Sequence, residues 1–292
     1  VHSPEVSIIC PTWNCAELLR EAVLSVVNQT FSNWELIIVN NFSTDNTMEV
    51  ITSFKDQRIH VLNFNNNGVI AASRNVGIDA SKGRFIAFID SDDYWMPEKL
   101  RICVDALTNN DLDLVCHGER HFQYKDQDVK LERDVFYGKN QPHTYESLLY
   151  RGNFLSTSAV VIKREKLLST GSFNTEPSVI TAEDYDLWLR LFATESKFLA
   201  IHQILGGYRI HQSSASASVI RHYQAVRKVV TTHFLAKSTK TTVKDKLLFT
   251  KRMARIGLSS GRAITQQGTW DSGAKFAFET VKILGRCLLG RV

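Results

Sequence analysis

The sequence predicts an α/β fold built on an open, mostly parallel central sheet flanked by helices, and three observations carry that prediction. Short apolar runs alternate with amphipathic helical segments through roughly the first hundred residues, the βαβα rhythm of a doubly wound sheet. The run Phe85-Ile86-Ala87-Phe88-Ile89 stops abruptly at Asp90-Ser91-Asp92-Asp93, as expected of a strand covered on both faces that delivers charge to the ligand-binding edge of a sheet. The nucleotide signatures of other α/β classes are missing: Pro11-Thr12-Trp13-Asn14 follows the first strand, where a dinucleotide-binding or P-loop protein carries a glycine-rich turn.

Taken in order, Val6 to Cys10 reads as a strand, and Glu17 to Val27 as a helix with Leu18, Ala22 and Val26 on one face. Leu36 to Val39 and Ile59 to Leu62 are further strands, and Thr44 to Phe54 and Val69 to Ala80 are helices able to cover the sheet. Ile86 to Ile89 is the central strand. Beyond Leu112 the pattern is less regular. Leu112 to Cys116 and Ser158 to Ile162 read as strands, residues 118–142 as a polar loop, Ala182 to Phe192 as a helix and Gly206 to Ile210 as a strand. After the serine-rich link Ser213 to Ser218 the chain is helix-like, with breaks near 237–242 and 257–273. The expected organisation is a catalytic body, 1–218, and a helical extension, 219–292.

With 43% hydrophobic and 22% charged residues over 292 positions the chain has the composition of a globular protein with a sizeable core. Its net charge of +5 conceals an asymmetry: residues 219–292 carry 15 Lys and Arg against three acids, a net of +12, whereas residues 1–218 net −7. The five cysteines, Cys10, Cys15, Cys103, Cys116 and Cys287, are scattered without zinc or Cys-x-x-Cys spacing, the pattern of reduced thiols in a cytoplasmic protein. There is neither a basic-then-apolar opening nor a run of 18 apolar residues, so a secreted or membrane-spanning chain is not expected.

Three carboxylates within four residues repel one another unless a cation neutralises them, and hard oxygen donors suit Mg²⁺ or Mn²⁺. The alternative is a solvated acidic turn capping the next helix. Context favours the metal. Pro11-Thr12-Trp13-Asn14, Val39-Asn40-Asn41-Phe42-Ser43-Thr44-Asp45, Asn67-Gly68 with Ala72-Ser73-Arg74-Asn75-x-Gly77, Asp90-Ser91-Asp92-Asp93, Glu183-Asp184-Tyr185-Asp186-Leu187-Trp188 and Tyr208-Arg209-Ile210-His211 together resemble the family 2 glycosyltransferases of GT-A fold. The resemblance covers about residues 5–218. It implies transfer of a sugar from a nucleotide-sugar donor to a hydroxyl, with inversion at the anomeric carbon.

The residues agree with that implication. A nucleoside diphosphate gathers negative charge as it leaves, which a divalent ion stabilises; Asp92 is the expected ligand. The resemblance implies that Asp90 contacts the donor sugar or ribose, with Ser91 beside it in the same turn, and that His211 joins the metal or diphosphate. Asp93 is expected to cap a helix or to support the site from behind. The attacking hydroxyl must lose a proton to a base on the opposite side of the anomeric carbon; Asp184 is the candidate and Glu183 the runner-up. Both acids also suit a helix N-terminus with no chemical role. Asp186 is expected to pair with Arg190 four residues on. Arg74 offers a donor fork for the diphosphate, although it also suits an ordinary surface position on the covering helix.

Pro11, Thr12, Asn14, Asn41 and Asp45 are expected to line the base and ribose pocket. Here the sequence departs from the resembling family, where two Asp residues usually stand at Asn40 and Asn41. An Asn carbonyl still accepts the N–H of uracil, but its amide also donates; a UDP-sugar is the leading expectation. The tail mixes Lys251, Arg252, Arg255, Lys275, Lys282 and Arg286 with apolar Phe276, Phe278, Ile283, Leu284, Leu288 and Leu289. Such basic amphipathic helices lie on anionic membrane, bind a lipid-linked acceptor, pack on the body or form a homodimer contact. The tail has no nucleic-acid reading motif. The expectation is an enzyme of cell-surface polysaccharide synthesis, cytoplasmic or peripheral on the inner face of the membrane. A silent nucleotide-sugar binder and a nucleotidyltransferase are the alternatives.

Overall fold

The computed structural model describes residues 3–125, 128–210, 219–237, 241–266, 278, 280–282 and 285. The first half follows the predicted rhythm: β1 (Val6–Thr12), α1 (Ala16–Val27), β2 (Trp34–Asn40), α2 (Thr47–Ser53), β3 (Ile59–Asn63), α3 (Ile70–Ala80) and β4 (Phe85–Phe88). Then come β5 (Tyr94–Trp95), α4 (Lys99–Asn109), β6 (Leu114–Lys125), β7 (Asp128–Val135), α5 (Tyr145–Arg151), β8 (Val160–Lys163), α6 (Arg164–Thr170), α7 (Glu183–Ala193), β9 (Phe198–Arg209), α8 (Val219–Ala236) and α9 (Val243–Gln266).

Among the described residues the strands form one sheet in the order β3-β2-β1-β4-β8-β6-β9-β5, with β7 added on β6. The β3-β2-β1-β4 half is wholly parallel. Beyond it β8 runs antiparallel to both β4 and β6, and β6 is parallel to β9. The chain moves from β1 outward through β2 and β3, then returns to lay β4 on the other side of β1. That reversal makes the carboxyl ends of β1 and β4 a switch point, where the flanking connections diverge and leave a crevice.

Alternation along the strands explains their unbroken apolar character. Ile8, Cys10, Phe85, Ala87 and Ile89 face a core with Leu19, Ala22, Val23 and Val26 of α1 and Leu100 and Leu107 of α4. Ile9, Ile86 and Phe88 face a second core with α3, α5 and α7. Both faces are dry, so every second residue cannot be polar. The face of α1 turned inward carries Leu19 with Ala22 and Val26, while Leu18 is only half-buried.

Of the expected loop 118–142, residues 136–142 are irregular, but 118–125 and 128–135 are strand. β6 continues to Lys125 and pairs with β7 in an antiparallel hairpin. β7 is largely exposed, with Val129 and Leu131 among its residues; it pairs with β6 off the main strand order, and its backbone ladder needs no apolar alternation. Likewise α9 is unbroken to Gln266, so the break expected near 257–273 does not fall within 257–266, and 267–273 lies outside the described residues. α8 and α9 contribute Val226, Val229, Val230, Phe234, Phe249 and Met253 to the same core as the sheet, and the Phe234 and Phe249 rings stack at 3.9 Å. The described part of the tail therefore packs on the body. The link 213–218, His211 and tail positions 275, 276, 283, 284, 286, 288 and 289 lie outside the described residues. Among those described, no helix is long and apolar enough to cross a membrane.

Candidate active site

Parallel strands present their carboxyl ends together, and the site residues sit there. At the end of β2, Asn40 is buried, donating to Asn63 Oδ1 at 2.9 Å and accepting from the Ser43 hydroxyl at 2.7 Å. Asn41 is half-buried and accepts the Asn66 N–H at 3.0 Å, while its own N–H donates to the Thr12 carbonyl at 2.9 Å. Pro11 and Thr12 end β1, buried; Thr12 Oγ1 has no hydrogen-bond partner among the described residues. Asn14, at φ 46°, accepts the Thr44 N–H at 2.7 Å and so ties the loop after β1 to that after β2. Asp45 accepts from the N–H groups of Ala16 and Thr47 at 3.2 and 3.1 Å, anchoring the starts of α1 and α2. Desolvation opposes ionisation of Asp45, but the bonds from Thr47 and Ala16 win and hold its carboxyl below the usual value. These residues form one cluster around the β1 and β2 ends.

The acidic turn follows β4. Asp90, Ser91 and Asp92 are half-buried and Asp93 is buried. Ser158, just before β8, holds the turn: its hydroxyl accepts the Asp90 N–H at 3.1 Å and donates to Asp93 Oδ2 at 2.6 Å. Its carbonyl accepts from Trp95 Nε1 at 2.9 Å and Lys99 Nζ at 3.3 Å. Arg209, at the end of β9, donates through its backbone N–H to Asp93 Oδ1 and through Nε to the Asp92 carbonyl, both at 3.1 Å. Burial, then the neighbouring Asp92 carboxylate, pushes the Asp93 carboxyl well above the usual range. Asp93 is thus a structural member of the turn, while Asp92 stands beside it half-buried. Burial, then Asp90, also raises the Cys10 thiol.

Among the described residues no three His, Cys, Asp or Glu side chains gather as a metal cage, and His211 lies outside them. The donor chemistry nonetheless fits Mg²⁺ or Mn²⁺. These ions are commonly held by one or two carboxylates, with water and substrate phosphate completing the shell; Asp92 and its neighbours supply that set.

Arg74 joins the acidic turn to the candidate base. From α3 it donates through Nη2 to Asp90 Oδ1 at 2.7 Å and through Nη1 to Glu183 Oε1 at 2.9 Å. Its side chain is only 5% exposed, as is that of Glu183 at 6%. Glu183 Oε2 accepts the Thr181 N–H at 2.7 Å, so both its oxygens are engaged. Asp184 differs. It accepts its neighbour Tyr185's N–H at 2.7 Å and a long bond from Asn153 at 3.4 Å. Burial, then the adjacent Glu183 charge, pushes its carboxyl up to about 7. Leu187, Trp188 and Leu191 are wholly buried and fix α7, while Asp186 pairs with Arg190 at 2.9 Å and with His233 of α8 at 3.0 Å.

Asp184 lines a cavity of about 590 Å³ together with Arg151, Asn153, His222, Arg252 and Arg255. Sequence reading did not single out Ser158 or Asn153, which carry no motif. Arg252 and Arg255 were visible only as basic tail positions, although their i,i+3 spacing puts them on one face of a helix.

Known proteins are similar to this chain in sequence and in fold. The family described as "Glycosyl transferase family 2" matches residues 7–169. The glucosyltransferase WfgD of Escherichia coli is 33% identical over 218 residues, covering 73% of this chain and 80% of that protein; its full description is UDP-Glc:alpha-D-GlcNAc-diphosphoundecaprenol beta-1,3-glucosyltransferase. Among solved structures, S. aureus TarS 1-349 in complex with UDP-GlcNAc superposes with a TM-score of 0.64 at 15% identity, over 98% of this chain and 92% of that one. The mannosyltransferase PcManGT of Pyrobaculum calidifontis, in complex with GDP-Man and Mn²⁺, gives 0.61 at 17% identity, over 97% and 81%. These two structures share the GT-A architecture. The fold and the family match define a GT-A enzyme. The chain belongs to glycosyl transferase family 2 and is a glycosyltransferase.

Proposed function

We propose that this enzyme is an inverting, metal-dependent glycosyltransferase that moves a sugar from a UDP-sugar to a hydroxyl of a lipid-linked glycan in cell-surface polysaccharide synthesis. One observation supports it most: Arg74 bridges Asp90 and Glu183, locking the donor-side acidic turn against the helix that presents Asp184. In this reading Pro11, Thr12, Asn14, Asn41 and Asp45 surround base and ribose, and Asp90 and Ser91 meet the donor sugar. Asp92 and His211 hold Mn²⁺ or Mg²⁺, which when bound neutralises charge on the leaving diphosphate.

Asp184, rather than the doubly engaged Glu183, takes the acceptor proton. The acceptor oxygen then bonds to the anomeric carbon as the bond to the β-phosphate oxygen breaks on the opposite face. A carboxyl raised to about 7 suits proton transfer near neutral pH. Arg74 orients the two acids and does not itself reach the diphosphate. The acceptor class rests on WfgD, whose acceptor is a diphosphoundecaprenol sugar, and it favours work at the inner face of the cell membrane.

The test is thermal stabilisation by UDP, dTDP, GDP and CDP with and without Mn²⁺, since a ligand of the folded state raises Tm. UDP is expected to stabilise only with Mn²⁺, and not in Asp92→Ala. Absence of any Mn²⁺-dependent response, or an undiminished one in Asp92→Ala, refutes the donor site.

A further inference from the structure

Three arginines converge on the cavity of Asp184: Arg151, the last residue of α5, and Arg252 and Arg255 from α9. None of them forms an ion pair with a carboxylate among the described residues. Two have modest structural duties. Arg252 Nη1 donates to the Arg151 carbonyl at 3.3 Å and Arg255 Nη2 to the Tyr150 carbonyl at 2.7 Å, meeting the carbonyls left open where α5 ends. Each bond uses one of five guanidinium donors. Arg252 Nε is buried with no hydrogen-bond partner.

Gly152 makes the approach possible. It terminates α5 at φ 127°, and a Cβ there would stand 3.1 and 3.2 Å from Arg252 Nη1 and Nη2. Helix capping accounts for one bond from each of the α9 arginines, Arg252 also meets the Tyr185 side chain, and neither duty accounts for Arg151. The cavity lining sets three arginines against one carboxylate; Arg151 and Arg255 are exposed and Arg252 half-buried, so their forks stay open to a ligand, and guanidinium forks match phosphate oxygens.

We propose that Arg151, Arg252 and Arg255 form the acceptor's phosphate site, gripping a phosphate or diphosphate on the molecule whose hydroxyl Asp184 activates. This deepens the glycosyltransferase reading and rests on it. The cavity lies within the size range of small-ligand sites and holds both the base and the arginines. The acceptor is therefore a glycosyl phosphate or diphosphate in which the attacked hydroxyl and the phosphate lie close together. A sugar-phosphate transfer onto a lipid phosphate is the class of reaction that supplies such a substrate. The basic tail contributes to the active site as part of the acceptor pocket.

The probe is farnesyl diphosphate, titrated calorimetrically into the full chain saturated with UDP and Mn²⁺, with farnesol and farnesyl monophosphate as companions. Binding of the phosphorylated probes, absence of farnesol binding, and at least fivefold weakening in Arg151→Gln and in Arg252→Gln are expected. Arg151→Gln is the safer variant, because no hydrogen bond or ion pair of its side chain holds the fold among the described residues. Arg252→Lys, which keeps charge but loses the fork, is expected to fall between wild type and Arg252→Gln. Unchanged affinity in Arg151→Gln and Arg252→Gln overturns the proposal, as does equal binding of farnesol. So does loss of binding to phosphatidylglycerol vesicles without loss of farnesyl diphosphate binding, which makes the arginines a membrane contact. If wild type fails to bind UDP with Mn²⁺, the donor reading falls separately, and farnesyl diphosphate binding without UDP still decides the arginine site.

Discussion

Replacing Asp184 with Asn is expected to slow transfer by orders of magnitude while making the protein more stable above neutral pH. The folded carboxyl sits at about 7, against an ordinary value of 3.8, so between those pH values the folded state binds more protons than the unfolded chain. Stability attributable to this group therefore falls as pH rises through that window, and above about pH 7 the cost is complete. A shift of about three units corresponds to a ceiling of about 4 kcal/mol. Water in the open cavity screens the half-buried carboxylate, and Asn gives up a favourable charge in the first turn of α7, worth about 0.3–1 kcal/mol. The net gain expected for Asp184→Asn at pH 8 is about 1–2 kcal/mol, or roughly 2–3 °C in Tm for a chain of this length. The gain should shrink steadily toward pH 4. Thermal denaturation of both proteins from pH 4.5 to 8 measures this without knowledge of either substrate. Transfer, measured once a donor is found, should fall by about 10²–10⁴ if the group is the base. A variant less stable than wild type at pH 8, or a Tm difference independent of pH, refutes the buried-charge reasoning.

Two further outcomes follow from the geometry. Arg74→Ala strands Glu183 without its cation and frees Asp90, and removing one partner from a buried pair costs about 3–5 kcal/mol; because the Asp90 side chain is 28% exposed, urea denaturation should give the lower end, with Arg74→Lys recovering part. Gly77→Ala puts a Cβ 2.6 Å from Ile9 Cγ2 and 3.4 Å from Val39 Cγ2, where α3 crosses β1 and β2. Overpacking of this kind costs about 1–3 kcal/mol, and since Arg74 lies one turn away, the UDP and Mn²⁺ stabilisation should weaken along with Tm.

β1, β2 and β4 were legible because burial on both faces of a parallel sheet demands apolar runs, whereas β3, half-exposed at the sheet's edge, rested on Ile59, Val61 and Leu62 alone. The β6–β7 hairpin was not, because backbone pairing at a wet, outlying position leaves almost no trace in side-chain polarity. α4 was expected only as the helix after the acidic turn, without bounds, although Leu100, Cys103, Val104 and Leu107 are buried at helical spacing. Within the site, Asp186 and Arg190 were readable as a pair from their spacing on one helix. The link from Arg74 to Glu183 spans 109 positions, and no local pattern announces it.

The sequence by itself determined the class of the protein, because ordered motifs at the ends of apolar strands are local facts that survive without coordinates. It also determined which acids were available and that the tail was basic. Only the tertiary structure decided where each acid stands: Glu183 and Asp93 are held inside hydrogen-bond networks, whereas Asp184 faces a cavity. It also decided where the tail's arginines go, by docking α9 on α5 and bringing Arg252 and Arg255 to Arg151. The physical reason is the same in both cases. Charge and side-chain chemistry are written residue by residue, but burial, which sets a carboxylate's proton affinity and an arginine's partner, exists only once distant segments have closed around it.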